Sequence, residues 1–242
     1  MPLILAIDTS AKPVSCALVR DGEVLGSFYS NTGLTHSQTL MRMVENLLDC
    51  AGVSADMLDA LAVNAGPGSF TGVRIGVSTV KGLAFTRNKP CVSVSTLESM
   101  AENVTASSDS VVCCVMDARC QQVYSALFSV NERGEKARLW ADEAQSVEEL
   151  KEKLKNIGKS IILVGDGSKM CYNVLRDSVS DLILASPLAR YQHAVSTAVV
   201  AERLFAEGKT VTHEELLPIY LRLPQAEREL NNRLALNSLG TK

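Results

Sequence analysis

The chain has 242 residues, 46% hydrophobic and only 5% aromatic, a balance ordinary for a globular protein with one large core or two modest lobes. A formal net charge of −3 argues against a general nucleic-acid-binding surface, so any RNA contact is expected to come mainly through a partner. The seven cysteines include no C-x-x-C pair and the one strongly apolar N-terminal run is short, which points away from a disulfide framework, a zinc site or a signal sequence and towards a cytoplasmic protein without a membrane span.

Leu3–Ile7 reads as a strand that ends at Asp8-Thr9-Ser10. In a two-lobed ATPase a carboxylate and hydroxyls at that place face Mg²⁺ and phosphate across a cleft; the plainer reading is a strand-end turn that satisfies free backbone groups. Val14–Arg20 and Val24–Tyr29 follow as strands, with Asp21-Gly22 as the hairpin signal between them. His36–Ala51 is an amphipathic helix with Leu40, Met43, Val44, Leu47, Leu48 and Ala51 on one side. Met41 widens its apolar arc to roughly 160°, generous for a helix that serves one sheet. Leu58–Asn64 is a short apolar run that enters the turn Gly66-Pro67-Gly68.

The helix expected over 71–86 is the most informative element. At 100° per residue, Val73, Val77, Val80 and Ala84 form one face. Ile75, Ser78, Thr79, Gly82 and Phe85 form the opposite face, with Arg74 and Lys81 between. A helix apolar or small nearly all round is buried on both sides, and one lobe covers only one of them. Gly72, Gly76 and Gly82 each cost about 1 kcal/mol relative to Ala, which suggests backbones that approach closely. The preceding Gly66-Pro-Gly-Ser-Phe-Thr-Gly72 is neither G-x-x-x-x-G-K-[ST] nor G-x-G-x-x-G. A sharp turn into the helix explains it, and an anion at the helix N-terminus stays open. Cys91–Val94 and a helix over about Ser95–Asn103 complete the first half.

The second half repeats the first in order. Leu5-Ala-Ile-Asp8 is echoed by Cys114-Val-Met-Asp117, Cys16-Ala-Leu18 by Ser125-Ala-Leu127, and Leu61–Gly66 by Ile162–Gly167. The helix between them has its counterpart at Ser146–Asn156. The expected fold is therefore α/β, two-lobed, a duplicated β-β-β-α-β-α unit of the actin/hexokinase/chaperone-ATPase (ribonuclease H-like) class. Lobes are expected over 1–106 and 107–224, with a polar tail at 225–242. His193–Glu207 is the last clear helix, and Leu217–Leu223 is expected to be extended. Asp8, Thr9, Ser10 and Asp117 are the candidate nucleotide-binding residues, for ATP or ADP with Mg²⁺. His36, His193 and His213 form no metal motif, and Ser69 is no nucleophile elbow, so no catalytic or metal residue is assigned.

On these segments the chain resembles the TsaB (YeaZ) family of bacterial tRNA threonylcarbamoyladenosine biosynthesis proteins. The residues that carry the resemblance are Ile4-Leu-Ala-Ile-Asp-Thr-Ser10, His36-Ser37, Gly66-Pro-Gly-Ser-Phe-Thr-Gly-Val-Arg-Ile-Gly76, Lys81-Gly-Leu-Ala84, Ser95-Thr96-Leu97 and Tyr220-Leu-Arg222. It implies a fold similar to that of the catalytic subunit TsaD, without TsaD's pair of metal-binding histidines; here His36 has Leu40 four residues on. It also implies a non-catalytic subunit that pairs with TsaD through helices of the first lobe and helps recruit the ATPase TsaE. That complex transfers a threonylcarbamoyl group from its adenylate to the adenosine 3′ of the anticodon. The expected partner face comprises His36, Leu40, Met41, Met43 and Leu47 of the first helix and Ile75, Ser78, Thr79, Gly82 and Phe85 of the second. TsaD covers it, or a second copy when the chain is alone. The alternatives are a nucleotide-dependent phosphotransferase or hydrolase using Asp8 and Asp117, and a homodimeric module acting outside tRNA modification.

Overall fold

Every residue of β1 (Leu3–Asp8) is buried, because this strand is central to a five-stranded sheet and covered on both faces. The computed structural model describes residues 2–222, so the expected tail at 225–242 lies outside the described residues, as does Leu223. β2 (Val14–Arg20) runs antiparallel beside β1, and β3 (Glu23–Ser30) closes the edge after a turn in which Asp21 and Gly22 both have positive φ. Helix α1 (His36–Ala51) follows, ended by Gly52 in the left-handed conformation. β4 (Ala60–Gly66) adds parallel to β1. Helix α2 (Phe70–Phe85) then leads to β5 (Cys91–Ser95), parallel to β4, giving the order β3-β2-β1-β4-β5. Ser95 caps the short helix α3 (Thr96–Ala101).

The second sheet repeats this plan. β6 (Ser110–Asp117) pairs antiparallel with β7 (Gln122–Val130), and β8 (Lys136–Arg138) and β9 (Glu143–Ser146) both pair with β7. Helix α4 (Val147–Leu154), β10 (Ser160–Val164), helix α5 (Ser168–Leu175), β11 (Leu182–Leu184) and helix α6 (Ala194–Ala206) follow. The order is β11-β10-β6-β7-β8, which makes the molecule a duplicated actin-like, ribonuclease H-like α/β fold. Asp8 and Asp117 end equivalent strands, β1 and β6.

Two echoes are displaced from true equivalence. Ala17 pairs with Ala6, whereas Ala126 pairs with Cys114, the counterpart of Leu5. The β6–β7 connection is one residue shorter, since Asp8 faces Ser15 but Asp117 faces Val123. Likewise Leu61 pairs with Leu5, but Cys114 pairs with Val164 rather than Ile162. The elements given no residue range from sequence are β8, β9, β11 and α5, of which the duplicated unit itself calls for β8 and α5; the strands are too short to show alternation. Residues 217–222 form no strand; they run as an irregular strap in which the Ile219 amide donates to the Ala65 carbonyl at 2.7 Å.

A division of the chain at residue 106 separates the sheets but not the cores. α1 and α2 cover one face of the first sheet, where Leu40, Val44, Leu47, Val73, Val77 and Val80 meet Leu5, Ile7, Leu18 and Val63. Its other face takes α6 from the far end of the chain: Ala198, Val200 and Ala201 lie on Ile4, Ala6, Val19 and Val92. In exchange α3, which keeps contact with β4 and β5, buries Leu97, Met100 and Ala101 among Val112, Cys114 and Phe128 of the second sheet. Each sheet therefore owes one covering helix to the other half of the chain. Among the described residues, no helix is long and apolar enough to cross a membrane.

Candidate functional site

The turn into α2 is built by close backbone contact. Ser69 caps the helix, its hydroxyl accepting from the Gly72 amide at 3.3 Å, so α2 starts at Phe70 rather than at 71. A Cβ on Gly68 would strike the Ser10 carbonyl, one on Gly72 the Thr9 carbonyl, and one on Gly76 the Thr9 hydroxyl. The Thr9 hydroxyl donates to the Gly72 carbonyl at 2.7 Å, and the Ser69 amide donates to the Ser10 carbonyl at 2.6 Å. Three glycines are thus spent on seating α2 against the end of β1. Gly82 differs: a Cβ there meets nothing within 4 Å.

The expected nucleotide set is divided, with Ser10 and Asp117 on the cleft and Asp8 and Thr9 away from it. Asp8 and Thr9 are buried at 1% and 0% exposure, Thr9 against the start of α2 and Asp8 on the opposite face of the sheet beside Asn64, and neither borders the interlobe cleft. Asp8 Oδ1 accepts from the Ser10 amide at 2.8 Å and the Ser10 hydroxyl at 2.6 Å, and Oδ2 accepts from Asn64 Nδ2 at 2.7 Å. Burial raises the Asp8 pKa, and the bonds from Ser10 and Asn64 oppose that rise. Mg²⁺ and phosphate do not fit at Asp8, because its carboxylate is enclosed and already takes three protein donors. Ser10 and Asp117 do line the cleft, of about 670 Å³, together with His36, Ser69, Asp166 and Arg222. Among the described residues no group of three or more His, Cys, Asp or Glu side chains is arranged to hold a metal.

On the second-lobe side, Asp117 Oδ1 accepts from the Arg119 amide at 2.7 Å, and the Asp117 amide donates to Asp166 Oδ1 at 3.2 Å. Burial pushes the Asp166 carboxyl up to about 6 from its ordinary 3.8. A pKa raised by folding means stability that is present below 3.8 and lost as pH rises through about 6. Asp166→Asn should therefore melt a few degrees above the wild type at pH 8, with the difference closing towards pH 4, as thermal melts across that range will read.

The expected partner face divides on burial. Leu40 and Leu47, placed on it from sequence, are each 1% exposed and belong to the lobe's own core. The α1 arc is wide enough that its centre faces the sheet, and only its flank reaches solvent. Met41, Ser78, Gly82 and Phe85 are exposed, while His36, Met43, Ile75 and Thr79 are half-buried. Phe85 is 68% exposed and Met41 40%, and Phe85 meets His213 edge-on at 5.3 Å between ring centroids.

Sequence reasoning missed Leu34, exposed before α1, and the strap beside α2 with Leu217, Ile219 and Tyr220. Exposed apolar side chains in irregular segments carry no period to find them by. It also left Arg74 and Lys81 without a task. Arg74 Nε donates to the Tyr220 hydroxyl at 2.7 Å, and its guanidinium lies 3.8 Å from the Phe70 ring centroid. Lys81 Nζ donates to the carbonyls of Glu214 at 3.2 Å and Leu216 at 3.1 Å. Both cations hold the strap, which crosses to the second lobe where Arg222 Nη1 donates to the Ala118 carbonyl at 2.8 Å.

A family model described as TsaD, tRNA N6-adenosine threonylcarbamoyltransferase, matches residues 30–230. The chain is 34% identical over 232 residues to the tRNA threonylcarbamoyladenosine biosynthesis protein TsaB of Escherichia coli (strain K12), covering 94% of this chain and 97% of that one. Against the protein of the same name in Bacillus subtilis (strain 168) the identity is 30% over 224 residues, with 93% and 96% covered. A tRNA N6-adenosine threonylcarbamoyltransferase of Geobacter sp. (strain M21) is 33% identical, but over 40% of this chain and 33% of its own. Among solved structures, YeaZ from Pseudomonas aeruginosa matches with a TM-score of 0.76 at 30% identity, over 91% of this chain and 100% of that one.

Proposed function

The chain belongs to the TsaB (YeaZ) family of tRNA threonylcarbamoyladenosine biosynthesis proteins, and from that membership we propose that it is a non-catalytic subunit which binds and supports TsaD and helps recruit TsaE for modification of the adenosine 3′ of the anticodon. The observation that carries this reading is the outer face of α2. Gly82 lowers helix stability and a Cβ there would meet nothing in its own fold, while Phe85 three residues on and Met41 of α1 stand exposed. A face of that kind has a purpose once a second pair of helices packs on it and the bare glycine lets the backbones close in. TsaD supplies that pair in the working complex, and a second copy of the chain supplies it when TsaD is absent. A net charge of −3 supports tRNA being held mainly by the partners.

The enclosed Asp8 supports a role without chemistry of its own. The test is threonylcarbamoyladenosine formation on tRNA by TsaD and TsaE, supplied with the adenylate, with and without this chain. Strict dependence is expected, and no dependence would sink the proposal. Asp8→Ala should keep full turnover per folded molecule while losing stability by about 1–3 kcal/mol, because it strands the buried Asn64 and Ser10 donors. A folded, TsaD-bound Asp8→Ala protein without turnover would instead favour the phosphotransferase reading.

A further inference from the structure

Helices α3 and α6 cross between the two lobes and touch each other there. Each is fixed by apolar side chains to the sheet contributed by the other half of the chain. Where they meet, the contacts are small and polar. The Ser99 and Thr197 hydroxyls lie 3.1 Å apart, the Ser196 hydroxyl donates to Asn103 Oδ1 at 2.5 Å, and Asn103 Nδ2 donates to the Tyr191 carbonyl at 2.8 Å. Interlocked apolar cores resist sliding because each displacement opens voids, whereas short hydroxyl and amide contacts exchange partners over small shifts.

Glu98 closes the outer end of this contact. Its carboxylate takes Arg138 Nη2 of β8 at 2.8 Å on one oxygen and Arg203 of α6 on the other. Arg138 also pairs with Asp142, whose second oxygen accepts from the Ser95 hydroxyl. One acidic side chain thus joins a strand of the second sheet to the helix that covers the first. A cavity of about 240 Å³ lies beside the cluster, leaving room for displacement.

The local sequence argues that this use of Glu98 is not incidental. Ser95-x-x-Glu98 and Ser146-x-x-Glu149 are the same helix-start pattern. In α4 the pattern is used as its residues dictate, with Glu149 accepting from the Ser146 amide at 2.7 Å. In α3 Ser95 still caps the Glu98 amide at 3.2 Å, but the Glu98 carboxylate is turned away to the two arginines.

We propose that the α3–α6 contact is a shear joint between the lobes and that Glu98 is the clasp holding it at one angle. The clasp side chains of Glu98, Arg138 and Arg203 are 26%, 30% and 44% exposed, so salt reaches and screens them.

Cys50 in α1 and Cys120 in the β6–β7 turn are exposed, while Cys16, Cys91, Cys113, Cys114 and Cys171 are buried. The full-length chain therefore accepts two nitroxide labels, one per lobe, without new cysteines. Electron–electron dipolar spectroscopy, with labelled protein diluted in unlabelled protein, reads the distribution of interlobe distances. A single narrow distribution is expected at low salt, about twofold broader near 1 M salt, where the Debye length is about 3 Å. Glu98→Gln should be broad at low salt and indifferent to added salt. Arg203→Gln should shift the same way, and Lys155→Gln, which removes a pair with Glu152 on α4, should match the wild type. A Glu98→Gln protein that melts cooperatively and keeps the narrow distribution overturns the clasp. If Glu98→Gln does not fold, Arg203→Gln decides by the same criterion, its side chain being the most exposed of the three at 44%.

Discussion

Gly82→Arg is expected to weaken binding of the TsaD partner by at least about 100-fold and to reduce threonylcarbamoyladenosine formation in parallel, with the fold left intact. The side chain enters open space, since nothing lies within 4 Å of the position, and arginine is a better helix former than glycine by about 0.8–1 kcal/mol. The isolated chain should therefore melt at or slightly above the wild-type temperature. The loss appears only on association, where a long cation must be buried between helices or hold them apart, at a cost of several kcal/mol. The same variant should be monomeric by sedimentation, because a second copy is proposed to use the same face. Isothermal titration against TsaD decides the matter, and binding at wild-type strength would remove this face from the interface. Ile75→Glu is the weaker test, because Ile75 is half-buried and packs against the lobe's own core.

Gly72→Ala, ten residues earlier in the same helix, should do the opposite. Its Cβ would land on the Thr9 carbonyl, and Ser69 Cβ stands 3.3 Å away on another side. Neither neighbour is the free end of a flexible side chain, so α2 must lift from the end of β1. The hydrogen bond from the Thr9 hydroxyl to the Gly72 carbonyl, 2.7 Å long, is strained or broken in the process. Overpacking of this kind costs about 1–3 kcal/mol, and backbone against backbone belongs at the upper end. Denaturant unfolding should show the midpoint falling by that amount, with TsaD affinity per folded molecule changing much less. A wild-type midpoint would mean that α2 does not rest on Thr9 as described.

These two glycines mark how far the sequence could be read. The strands and helices of the first lobe, the repeat, and the end of β1 at Asp8 matched by the end of β6 at Asp117 follow from local pattern. A period of two or 3.6 needs no knowledge of the partner surface. The same pattern placed Leu40 and Leu47 on the outer face of α1, because an arc near 160° does not say where its centre points. It left Asp8 open between a cleft carboxylate and a strand-end turn, because a strand-end carboxylate has the same local signature whether protein covers it or solvent does. The helix-start pattern at Ser95–Glu98 likewise gave no hint that Glu98 would leave its own helix for Arg138 and Arg203.

By itself, then, the sequence determined the alternation of elements in the first lobe, the duplication and the family, since each is written in residue type and spacing along the chain. Only the tertiary structure decided which glycine of α2 touches the protein and which is left bare, that α3 and α6 exchange sheets, and that Asp8 is enclosed. Each of those depends on contact between segments far apart in the chain, such as Thr9 with Gly72 or Glu98 with Arg203. Burial and collision belong to pairs of surfaces, and one surface alone carries no mark of what the fold will set against it.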